Sequence, residues 1–77
     1  MDRYIRLVVD GRYADLELDL GFRRTGLFST SEAMIKKFAI IAELLNRKPI
    51  RDGHGNEMMY LTGGEAEDVL DLLHMPL

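Results

Sequence analysis

Tyr4-Ile5-Arg6-Leu7-Val8-Val9-Asp10-Gly11-Arg12-Tyr13-Ala14-Asp15-Leu16-Glu17-Leu18 decides the fold, because two alternating runs flank a turn-forming dipeptide. Asp10-Gly11 tolerates positive φ and suits a two-residue loop, so the stretch predicts a β-hairpin. Closing the loop there sets Val9 opposite Arg12, Leu7 opposite Ala14, Ile5 opposite Leu16 and Arg3 opposite Leu18 on an apolar face. Val8 then faces Tyr13, Arg6 faces Asp15 and Tyr4 faces Glu17 on a charged and aromatic one. A three-residue loop puts Ile5 opposite Asp15 and mixes the faces, so the hydrophobic pattern selects the two-residue register.

Outward from the hairpin, Gly21-Phe22-Arg23-Arg24-Thr25-Gly26-Leu27-Phe28 reads as an ordered loop between two glycines. Ser29 lies three residues before Glu32, the spacing of a capping box, and predicts the start of a first helix. Met34, Phe38, Ile41 and Leu45, with Ile35 and Ala42 beside them, recur at helical spacing. Glu32 to Lys36 and Glu43 to Arg47 are favourably oriented pairs along it. Pro49 is expected to end this helix by forcing Lys48 into extended geometry. Ile50-Arg51 and Glu57-Met58-Met59-Tyr60-Leu61 flank the turn formers Asp52-Gly53-His54-Gly55-Asn56 and read as a second, weaker hairpin. Thr62 and Glu65 repeat the capping-box spacing, and Ala66, Val69, Leu70 and Leu73 form the apolar face of a second helix that stops before Pro76. The expectation is one small α+β domain over residues 1–77, with an antiparallel sheet packed by two helices in the order ββαββα.

Size and composition bound the function. A 77-residue chain buries only roughly 60–65% of its unfolded surface and builds one modest core. It has no cysteine, so neither disulfides nor thiolate metal sites support it. Thirteen acidic against ten basic side chains leave a net charge of −3, which disfavours a nucleic-acid binder dependent on neutralising phosphates. No apolar run reaches the roughly 20 residues of a membrane-spanning helix, and Met1-Asp2-Arg3-Tyr4 lacks the apolar segment of a secretory leader. The expected setting is cytoplasmic, away from membranes.

Motifs for chemistry fail on inspection. Counted from Asp52, the turn of Asp52, His54, Asn56 and Glu57 places Glu57 where a calcium loop needs glycine and Gly63 where it needs a bidentate glutamate. Thr62-Gly63-Gly64 precedes a helix, but Glu65, Glu67 and Asp68 already fill its first turn with negative charge and repel a phosphate. Ser29 and Ser31 belong to a helix start. His54 and His74 share no spacing with a nucleophile or an orienting carboxylate, and His74 reads as a partner of the helix dipole. The expectation is a protein that is not an enzyme and takes no cofactor or metal.

What remains is surface. Ala33, Ile40 and Leu44 extend the apolar arc of the first helix beyond what one sheet covers, with Lys37 inserted among them. Either the connector residues Phe22, Leu27 and Phe28 or the last helix cover them, or they form a homodimer seam or partner groove through this helix. Tyr4, Arg6 and Tyr13 on the outward hairpin face, with Arg23 and Arg24, are further recognition candidates, since tyrosine and arginine concentrate at binding hot spots. The leading expectation is a protein-binding module that regulates or inhibits a larger partner by occluding its surface, of a size common among bacterial and phage gene products. The alternatives are nucleic-acid binding through Arg23, Arg24, Arg47, Lys48 and Arg51, with Phe22 or Phe28 stacking on bases, and a small enzyme or metal site around His54.

Overall fold

A computed structural model describes residues 2–76. Strand β1 (Arg3–Asp10) pairs antiparallel with β2 (Tyr13–Asp19) through a two-residue loop. That loop is Gly11-Arg12, not Asp10-Gly11. Gly11 has a φ of 62° and Arg12 does not share that sign, the pattern of a loop with glycine in its first position. Each expected partner therefore moves by two residues, so that Leu7 faces Leu16, Ile5 faces Leu18 and Arg6 faces Glu17. A slip of two preserves side-chain parity, and both faces keep their expected composition.

The segment expected as a loop after this hairpin is instead mostly strand. The chain reverses at Gly21, whose φ is 89° and whose N–H donates to Asp19 Oδ1 at 2.8 Å. It returns as β3 (Arg24–Thr30) along the far side of β2. Helix α1 (Ser31–Leu44) follows, then β4 (Ile50–Arg51), β5 (Glu57–Leu61) and α2 (Gly63–Leu73). The expected alternation of hairpin, helix, hairpin and helix is present, with β3 added before the first helix. The five strands form one antiparallel sheet in the order β3-β2-β1-β5-β4.

Both helices lie on one face of this sheet. Ile5, Leu7, Ala14, Leu16, Leu18, Met59 and Leu61 from the strands meet Met34, Phe38, Ile41 and Ala42 of α1 and Ala66, Val69 and Leu73 of α2 in one buried cluster. Met58, on the expected second hairpin, is buried on the opposite face between its register neighbours Arg6 and Ile50. Ile35 departs from the expected core arc and stays exposed.

The helix ends follow local chemistry, with two corrections. Thr30, not Ser29, caps α1, its hydroxyl accepting from the Ala33 N–H, because Ser29 is still paired with Ala14 in the sheet. Ser31 secures the join: its N–H donates to Arg12 O at 2.7 Å and its hydroxyl to Gly11 O at 2.6 Å. At the other end the helix stops before Pro49 can act. Asn46 turns left-handed at a φ of 50°, its N–H donates to Glu43 O and that of Arg47 to Ala42 O, the paired bonds of a Schellman motif. Arg47 reaches Glu65 and Tyr60 O on other elements. Thr62 and Glu65 form the expected capping box of α2.

Lys37 joins the two helices. Buried within the α1 flank, its Nζ donates to Leu73 O at 2.9 Å and Met75 O at 2.6 Å, so a cation from one helix satisfies the terminal carbonyls of the other and favours its dipole. Among the described residues no helix is long and apolar enough to cross a membrane. Lys37→Met keeps the aliphatic stem but strands both carbonyls, and is expected to cost about 1–3 kcal/mol. Urea unfolding checks this, with far-ultraviolet circular dichroism retained in buffer.

Candidate functional site

The sheet face without helices carries a ladder of cross-strand polar contacts. Arg24 donates to Asp19 Oδ2 at 3.2 Å and to the Tyr4 hydroxyl at 3.3 Å. Arg6 lies over the Tyr4 ring, 4.7 Å from its centroid, and 3.6 Å from its cross-strand partner Glu17. Arg6 Nε is 2.9 Å from Asp52 Oδ2 but off the hydrogen-bond axis, so the contact is an ion pair without a formed bond. Tyr13 stacks on Phe28 at 5.6 Å. Of the recognition candidates on this face, Tyr4 and Arg6 are half-buried and engaged with each other, while Tyr13 and Arg24 are exposed. Arg23 is exposed in the turn before β3.

Of the five candidate nucleic-acid cations, three are engaged within the chain, while Arg23 and Lys48 are exposed. Arg24 and Arg47 are each paired with a carboxylate, and Arg51 donates to Gly55 O. The His54 turn is organised by Asp52, whose Oδ1 accepts from the His54 and Asn56 N–H groups at 2.8 and 2.9 Å. His54 itself is exposed. Its neighbouring carboxylate is thereby occupied by its own loop and by Arg6. No group of three or more metal-ligating side chains comes together among the described residues. His74 caps α2, with Nδ1 2.8 Å from Leu70 O.

The apolar surplus lies on α1, and it is divided between two flanks. On one, Ile40 and Leu44 are 41% and 63% exposed. The connector aromatics do not cover them, since Phe22 and Phe28 are themselves 76% and 66% exposed; Leu27 instead packs against the core. On the other flank, Ile35 and Ala39 border a cleft of about 600 Å³ between α1 and the β4–β5 hairpin. Leu7, Phe38 and Ala42 contribute its apolar lining, and Val9, Arg51 and Glu57 also line it. The periodicity of α1 signalled the first flank. The cleft had no sequence signal, because it is created where the short β4 strand leaves the inner sheet face uncovered.

No family model, curated protein or solved structure matches the chain significantly.

Three carboxylates in these networks titrate low. The Gly21 N–H, with Arg24, lowers Asp19. At Asp52 desolvation acts upward, but the Asn56 and His54 N–H groups with Arg6 outweigh it and the net shift is downward. The Thr62 N–H and Arg47 lower Glu65. Each is depressed on folding, so the folded state holds fewer protons than the unfolded chain, whose carboxylates titrate near about pH 4. Their stabilisation is present above that pH and is lost as pH falls through the depressed folded values. Urea midpoints measured from pH 7 downward are expected to fall on acidification, and Asp52→Asn or Glu65→Gln is expected to lower the neutral-pH midpoint and flatten the acid limb.

Proposed function

We propose that the protein is a non-catalytic binding module that regulates or inhibits a larger protein by covering part of its surface, with α1 as the docking helix. The observation that carries this reading is that Ile35, Ile40 and Leu44 remain exposed after the sheet and α2 have taken their share of α1. Apolar flanks of a helix left open in so small a domain are surfaces that gain free energy when another protein covers them. The cleft beside Ile35 adds depth, a recess for an apolar side chain with Arg51 and Glu57 at hand to orient it. The ladder on the opposite sheet face is less suited to this role, since most of its charges already have partners within the chain. Catalysis has no support in the arrangement of His54 and Asp52, and a cytoplasmic setting of bacterial or phage origin fits the cysteine-free composition and size.

Ile40→Asp combined with Leu44→Asp tests the reading. With circular dichroism unchanged, the doubly substituted chain is expected to lose at least about tenfold of the affinity for whatever protein the wild-type chain retains specifically from a native lysate, a change of about 1.4 kcal/mol. Equal retention by both chains, or unfolding of the variant, removes α1 as the docking surface.

A further inference from the structure

The two edges of the sheet are built differently. At one, β4 is two residues long and follows Pro49, a short strand and a proline being devices that blunt an edge. At the other, β3 runs seven residues in unbroken register with β2 and contains neither proline, lysine nor bulge. Its hydrogen bonds can be assigned from both ends. Leu20 N–H donates to Arg23 O and Ser31 N–H to Arg12 O. In an antiparallel ladder bonded pairs alternate with unbonded ones, so Thr25, Leu27 and Ser29 bond to β2. Arg24, Gly26 and Phe28 turn their backbone N–H and C=O groups away from it, toward the free edge. Phe28, one of the most exposed aromatics of the chain, stands on that edge.

We infer that β3 is a self-association edge, on which a second copy of this chain adds its own β3 antiparallel about a two-fold axis at Leu27. Only that register pairs the whole strand with itself. It sets Leu27 against Leu27 of the second copy on the half-buried face, Thr25 against Ser29, and Arg24 against Thr30. It also sets each Phe28 opposite Gly26 of the second copy, a position where an aromatic can compensate a strand glycine. A register centred on Arg24 opposes cation to cation, and one centred on Phe28 leaves Arg24 and Thr25 beyond the partner strand. Within the chain itself Gly26 is also favoured, because a Cβ there would sit 3.2 Å from Leu16 O. The result is a continuous ten-stranded sheet. This seam is distinct from the α1 docking surface and stands or falls without it.

Multi-angle light scattering on the wild-type chain is expected to show a concentration-dependent rise toward twice 8.8 kDa. Phe28→Lys alters the seam twice by symmetry and is expected to weaken association about tenfold, whereas Ile40→Asp with Leu44→Asp leaves it intact. Register is read by cross-linking, since the chain has no other cysteine. Residues opposite one another in an unbonded pair have Cα atoms about 4.5 Å apart, within disulfide range. Mild oxidation of Leu27→Cys is expected to give a covalent dimer and that of Arg24→Cys is not. A wild-type chain monomeric at every concentration overturns the inference, as does association that survives Phe28→Lys, is lost with Ile40→Asp and Leu44→Asp, or cross-links equally at both positions.

Discussion

Two helices can cover one face of a five-stranded sheet and no more, and the molecule is organised around that constraint. Ile5, Leu7, Leu16, Leu18, Met59 and Leu61 make one sheet face uniformly apolar, so both helices are drawn to the same side. Once there they are joined at both ends of α2. Lys37 crosses from α1 to the terminal carbonyls of α2, and Arg47 near the end of α1 meets the Glu65 that begins α2. Both cations come from the α1 side and meet opposite ends of α2, Lys37 its terminal carbonyls and Arg47 its first-turn carboxylate, which ties the pair into one layer while their outer flanks stay open.

The uncovered half of the molecule solves its solvation differently on its two parts. On the bare sheet face, Arg6, Arg24, Asp19, Glu17 and Asp52 are held in pairs, and the lowered titration of Asp19 and Asp52 ties this surface to folding stability. On α1 and along β3, by contrast, exposed apolar side chains and open backbone lie among the charged ones. Polar groups with internal partners and apolar groups without them thus occupy different parts of the surface.

Much of the fold was legible in the sequence because side-chain parity is robust. Alternation through Ile5–Leu18 assigns every residue to its correct face even though the loop lies one residue further on, since partner shifts of two leave faces unchanged. That same robustness hides the register: the hydrophobic pattern accepts Asp10-Gly11 and Gly11-Arg12 equally, and the observed loop lets Tyr13 pair with both Asp10 and Thr30. β3 was hidden by its composition. Arg24 and Gly26 break the strand signal, and Thr25, Leu27 and Ser29 become its inner face only once β2 is beside them. Hydroxyl caps were recognisable at both helices, but the choice of Thr30 over Ser29 depends on where the ladder to β2 ends. The surplus on α1 was visible from Ile40 and Leu44, whereas Ile35 and its cleft depend on how short β4 is.

The contrast between a closed and an open sheet edge follows most directly from this architecture, and amide hydrogen exchange resolved along β3 reports on it residue by residue. Exchange followed by nuclear magnetic resonance over a range of protein concentrations is predicted to find Thr25, Leu27 and Ser29 protected throughout, with Gly26 and Phe28 gaining protection only as concentration rises. Uniform exchange along the strand, or Gly26 and Phe28 indifferent to concentration, contradicts the account.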